Sequence, residues 1–143
     1  MELILALACD SARVRPDGKV DVAGIFNELY APGFPAAQAR MSVLFVLEWS
    51  PAEHGHRDFA ADLVDDENGK VLTIEGHTDV EPRPEGRAPA LTRILLPLEN
   101  VVFPHAGRYR FMLEVGGRTR PAFSLFVGEQ RAPEADPTET DRV

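Results

Sequence analysis

Arg108-Tyr109-Arg110-Phe111-Met112-Leu113-Glu114-Val115-Gly116-Gly117 carries the clearest strand pattern in the chain. Tyr109, Phe111, Leu113 and Val115 fall on one side of an extended chain and Arg108, Arg110 and Glu114 on the other, the period of two of a half-buried strand. Gly116-Gly117 accepts the positive φ of a two-residue hairpin turn, and Phe123, Leu125 and Val127 alternate down the returning strand. A terminal β-hairpin follows. Upstream, Glu67-Asn68-Gly69-Lys70 marks a second hairpin turn between residues 57–66, with Phe59, Ala61 and Leu63 on one face, and residues 71–77. Pro16-Asp17-Gly18-Lys19 marks a third turn, ahead of a run over 20–30 in which Gly24 is expected to form a bulge.

Two runs lack this alternation. Residues 41–49 are nearly continuously apolar and compatible with a buried helix. Val43, Phe45, Val46 and Trp49 are β-branched or aromatic, however, and Pro51 closes the run, so a central strand is expected. Residues 3–9 are apolar throughout, far short of the roughly 20 residues that span a bilayer, and Glu2 stands where a signal peptide carries a cation. They are expected to form a buried first strand. A further strand over 90–102 is expected to break at Pro97.

Eight strands thus emerge, near 2–9, 19–30, 41–50, 57–66, 70–78, 90–102, 107–116 and 118–128. Twelve prolines and eleven glycines leave little room for long helices. One helical turn, over 35–39, is the only helix expected. Without strand–helix alternation the chain predicts an all-β fold, an antiparallel β-sandwich of about eight strands over residues 1–128. Residues 81–89, polar and proline-rich, read as an extended mobile loop, and 129–143 as an acidic disordered tail.

Ala106-Gly107-Arg108-Tyr109-Arg110-Phe111 is similar to the tyrosine corner of immunoglobulin-like sandwiches, and Trp49 resembles their core tryptophan. The resemblance implies a sandwich immunoglobulin-like in general form. It lacks the inter-sheet disulfide, because Cys9 is the single cysteine. Over residues 1–128 the chain also resembles a family of small uncharacterised bacterial proteins, a domain of unknown function. Four features carry this likeness: the apolar strand entering Cys9-Asp10, Asp17-Gly18-Lys19-Val20 with Gly24 after it, His54-x-His56 through Asp66-Glu67-Asn68-Gly69, and Gly107-Arg108-Tyr109-Arg110-Phe111. That family has no established activity, so the resemblance implies no catalytic residue.

Charge narrows the partners. With 15 Lys and Arg against 23 Asp and Glu the chain carries −8, which repels phosphate backbones and anionic membranes. Nucleic acid and membrane are therefore not expected partners, and a lone cysteine suits a reducing cytoplasm. If every strand crosses the sandwich once, loops 10–18, 51–56, 78–89 and 116–117 share one end. His54, His56, His77 and Asp79 would then meet there as the metal site of a metal-dependent enzyme, with His105 at the opposite end. These residues have no fixed ligand spacing, so solvated loop residues, without metal or cofactor, are the expectation. Asp65-Asp66-Glu67-Asn68-Gly69 lacks the distal Glu of a calcium loop, and no nucleophile elbow or phosphate-binding glycine loop occurs. Cys9 is expected to be inert in the core.

Tyr30-Ala31-Pro32-Gly33-Phe34-Pro35 puts two aromatics in a loop, where solvated chain is normally polar. Tyr30 and Phe34 are the candidate binding residues, with the alternative that Phe34 caps its own core. Arg108, Arg110, Arg118 and Arg120 are expected on the outward face of the terminal hairpin. The chain therefore reads as a non-enzymatic cytoplasmic binding or accessory module. It would act through loop or sheet-edge recognition of a protein partner, or by self-association. A sandwich binding a small ligand or sugar is the alternative.

Overall fold

The computed structural model describes residues 1–130, and nine strands form within them. These are β1 (Glu2–Val14), β2 (Val20–Phe26), β3 (Glu28–Ala31), β4 (Ala36–Glu48), β5 (Gly55–Val64), β6 (Lys70–Val80), β7 (Leu91–Phe103), β8 (Gly107–Val115) and β9 (Arg118–Glu129). They build a four-stranded sheet in the order β2-β1-β4-β7 and a five-stranded sheet in the order β3-β9-β8-β5-β6. The two sheets close on one core. Met41, Val43, Phe45 and Leu47 of β4 meet Ala61 and Leu63 of β5, Tyr109, Phe111 and Leu113 of β8, and Leu125 and Val127 of β9. Phe45 lies edge-on to Phe111 at 6.4 Å, and Phe111 stacks on Phe123 at 5.0 Å.

The terminal hairpin forms as expected, with Gly116 and Gly117 both at positive φ (60° and 79°) in its turn. The hairpin at Asn68-Gly69 also forms, and Asp65 holds it by accepting the Glu67 and Gly69 N–H groups at 2.9 and 2.7 Å.

Several expectations are corrected. Among the described residues there are nine strands rather than eight, because the run over 19–30 splits at Asn27, whose carbonyl accepts the Phe126 N–H at 2.8 Å. There the chain leaves one sheet, reverses direction and enters the other, so β3 runs parallel to β9 and the sheets are not wholly antiparallel. The helical turn expected over 35–39 is instead the start of β4: Ala36 to Arg40 pair with β7, whose backbone groups would otherwise go unpaired. Residues 10–14 continue β1, with Arg13 opposite Asp21 and Val14 opposite Val20. The pairing of β1 with β2 shifts nowhere, so Gly24 is not a bulge. Its φ of +71° and the Asp10 side chain standing where a Cβ would go are what require glycine there.

Pro97 does not break its strand. β7 is a sheet edge, where a residue without an N–H donor is tolerated. One end of the fold collects Met1 and the turns 49–54, 81–90 and 116–117, and the other collects 15–19, 32–35, 65–69 and 104–106. The turn after β1 thus lies at the opposite end from the one expected, a direct result of the reversal at Asn27. Of the acidic tail expected over 129–143, Glu129 closes β9 and the Gln130 N–H donates to the Ala31 carbonyl at 2.7 Å, while 131–143 lie outside the described residues.

Candidate functional site

The nearly unbroken apolar runs in β1 and β4 have a consequence that alternation exposes. Successive strand residues face opposite sides of a sheet. Val43, Phe45 and Leu47 join the core, so Leu44 and Val46 point to the outer face of the four-stranded sheet. Opposite Leu44 stand Leu7 of β1 and Leu95 of β7, opposite Val46 stand Leu5 of β1 and the exposed Arg93 at the β7 edge, and Cys9 pairs with Ile25 of β2. Leu5, Leu7, Ile25, Leu44, Val46 and Leu95 therefore make an apolar outer face, graded from exposed Leu5 and Ile25 through half-buried Leu7, Val46 and Leu95 to buried Leu44, with no third sheet among the described residues stacked on it. Leu5 is 45 % and Ile25 66 % exposed. Antiparallel sheets usually carry polar side chains on their solvent side. The continuous apolar runs were the sequence signal for this face, but such a run fits a strand buried on both sides equally well.

The apolar surface continues around the β2 edge. A cleft of about 460 Å³ lies there, lined by Leu7, Ile25, Phe26, Phe123 and Phe126 among others. Phe126 is 46 % and Tyr30 61 % exposed. Tyr30 lies across Gly128, and its hydroxyl donates to Glu28 at 3.1 Å. The two aromatics expected in one loop thus part company, since Phe34 packs half-buried against the core while Tyr30 stands on strand β3, paired with Gly128, and faces solvent. Phe34→Ser is expected to lower stability by about 1–3 kcal/mol, the transfer free energy of a partly buried ring, and to show as a lower urea midpoint.

The histidines assemble only in part. His56 stacks on His77 at 5.1 Å and contacts Asp58 at 2.8 Å and Asp79 at 3.5 Å, through different ring nitrogens. The hydrogen bond to Asp58, then its charge, raises the pKa of the exposed His56. His54 is separate and lines a small cup with Trp49, Val80 and the 81–89 loop. Among the described residues no three His, Cys, Asp or Glu side chains are placed to hold a metal ion. His105 sits at the other end, stacked on Tyr109 and 3.4 Å from Asp65. Cys9 is fully buried with its thiol 3.6 Å from the Ser42 carbonyl, and burial raises its pKa.

The arginine row divides as well. β8 and β9 pair Phe111 with Phe123 but Met112 with Pro121, so Ala122 is an extra residue and the phase of β9 reverses there. Arg120 then stands opposite buried Leu113 and Arg118 opposite buried Val115, and opposed residues share a face. Both arginines therefore belong to the core side, at its end, whereas Arg110 on the outer side donates to Asn68 at 2.9 Å. The expected outward position of Arg118 and Arg120 is corrected by this bulge. Pro121 was its sequence signal, and it is tolerated because β3 covers β9 only from Phe126 onward.

Arg57, two residues before core-facing Phe59, completes the group. A cavity of about 240 Å³ is lined by Arg57, Arg118, Arg120, Met1, Trp49 and Glu53, with Val115 and Gly116. Glu53 accepts hydrogen bonds from the Met1 amine and the Ser50 N–H, which lower its pKa to about 2. A carboxylate depressed in the folded state stabilises the fold above its unfolded pKa near 4.5, and that stabilisation is lost as pH falls toward about 2. Between pH 6 and pH 3 the urea midpoint of the native chain is therefore expected to fall more than that of Glu53→Gln. Equal falls would contradict the pairing.

The arrangement defines an all-β protein of two sheets around one core, with an apolar outer sheet face and an arginine-lined cavity at one end. The chain belongs to a family of unknown function, DUF6941, whose family model matches residues 4–128. No curated protein matches it.

Proposed function

We propose that this protein is a non-enzymatic binding module that covers the outer face of its four-stranded sheet with the apolar surface of a protein partner, a second copy of the chain being one such partner. The observation that carries the reading is the apolar row of exposed Leu5 and Ile25 with half-buried Leu7, Val46 and Leu95, on a sheet face that no other sheet of the described residues covers. Tyr30 and Phe126 extend the contact around the β2–β3 flank. The edges differ in the same sense. β7 carries Arg93, Pro97 and Glu99, and β6 carries Lys70, Glu75 and Asp79, whereas Asp21 is the only charged residue of β2. Charges and proline block strand addition, so β2 is less defended than β6 or β7.

The wider architecture reads as an immunoglobulin-like sandwich. The Tyr109 hydroxyl turned back onto His105 and the buried Trp49 support that reading. The unpaired Cys9 thiol suits a reducing, cytoplasmic setting, and net charge −8 disfavours nucleic acid and anionic membranes as partners. No helix among the described residues is long and apolar enough to cross a membrane.

Paired affinity captures from the native host test the proposal. Leu5→Lys and Ile25→Lys, both at exposed positions, should keep the native melting temperature and weaken capture, self-association included, by about tenfold or more. Variants that retain every partner of the native chain, or a native chain that stays monomeric and captures nothing, would overturn it.

A further inference from the structure

The cavity at the Met1 end concentrates positive charge in a chain of net charge −8. Arg57, Arg118 and Arg120 all line it, and the only carboxylate in its lining, Glu53, is held by the Met1 amine and the Ser50 N–H. No ion pair among the described residues uses any of the three arginines. The Nε atoms of Arg57 and Arg120 are shut away from solvent and have no hydrogen-bond partner there. Their outer nitrogens reach only carbonyls, from Arg57 Nη2 to His54 at 3.5 Å and from Arg120 Nη1 to Met1 at 3.4 Å. A buried charged donor without an acceptor is unfavourable, so two converging on one cavity call for an anionic acceptor. The bulge at Ala122 matters here, because it turns Arg118 and Arg120 into this cavity rather than onto the charged outer face.

We propose that this cavity binds a phosphate-type oxyanion, either the free ion or the phosphate group of a small phosphomonoester. Guanidinium forks match the oxygen geometry of phosphate and offer two parallel donors each. Three of them around one cavity suit a dianion with oxygens on several sides better than a planar monoanionic carboxylate. About 240 Å³ admits one tetrahedral oxyanion with accompanying water, and Trp49 and Val115 supply an apolar wall for an attached organic group. The site lies apart from the apolar sheet face, so neither proposal depends on the other.

Titration of the full-length chain with inorganic phosphate at constant ionic strength tests it, with the phosphorus NMR line width and the melting temperature as readouts. Phosphate should broaden the line saturably and raise the melting temperature, and matched chloride should do neither. Arg120→Gln and Arg57→Gln should each weaken binding about tenfold or more, while Arg108→Gln, on the outer face, should leave it unchanged. Should the buried variants fail to fold, Arg118→Gln at the exposed rim carries the same expectation. Phenyl phosphate binding more tightly than phosphate assigns the phosphomonoester, and the reverse order assigns the free ion. Absence of a saturable response, indifference to all three cavity substitutions, or succinate binding as tightly as phosphate would overturn the proposal.

Discussion

Tyr109→Ala is expected to destabilise the protein by about 3–5 kcal/mol and to lower its melting temperature by roughly ten degrees or more. The side chain is fully buried, packs edge-on to Phe103 at 5.0 Å and stacks on His105. Its hydroxyl donates to the His105 carbonyl at 2.6 Å and accepts the His105 N–H at 3.3 Å, which ties the 104–106 turn to the start of β8. Truncation removes a large ring and leaves two backbone groups without their partner. Tyr109→Phe keeps the ring and loses only those bonds, so a loss of about 1 kcal/mol is expected. Differential scanning calorimetry on the pair checks both values. Near-equal losses would show that the ring contributes little.

Phe111→Ala is the second large effect, again about 3–5 kcal/mol, read as a fall in the urea midpoint. Phe111 is fully buried among Phe45 and Phe123, and it is the last residue of β8 in register with β9 before the Ala122 bulge. Its loss removes ring contacts on both sides of the core and the side chain that pins the bulge. Loosening of the bulge should therefore accompany the loss of stability and weaken oxyanion binding in the folded fraction. Phe111→Leu, which fills much of the space, should retain most of the stability.

The parts of the fold legible in the sequence were those with a local cause. Gly116-Gly117 and Asn68-Gly69 are turns whose φ requirements their own residues meet, and the alternation of β8 needs no partner to be recognised. The reversal at Asn27 was not legible, because it is set by where β9 lies and not by any breaker in Phe26-Asn27-Glu28. Ala36 to Arg40 have no strong strand preference and extend β4 only because β7 is beside them.

The candidate sites follow the same division. Exposed Tyr30 could be read as a loop aromatic, but the inward turn of Phe34 depends on the shape of the core end. His56 and His77 meet through the pairing of β5 with β6, whereas His54 precedes the strand and goes elsewhere. The arginine cavity was hidden by a single extra residue, since strict alternation back from Phe123 puts Arg118 and Arg120 on the wrong face. The apolar sheet face was hidden by ambiguity, because the run through Leu44 and Val46 has the same pattern whether a second layer covers it or not.

Coverage of this face by protein in the cell is directly measurable. Carbene footprinting compares the chain isolated in its native complexes with the same chain purified as a monomer. At least a severalfold loss of labelling is expected at Leu5, Ile25 and Leu95 in the complexes, with the 81–89 loop unchanged. Equal labelling of the three residues in both samples, or protection confined to the 81–89 loop, would contradict it.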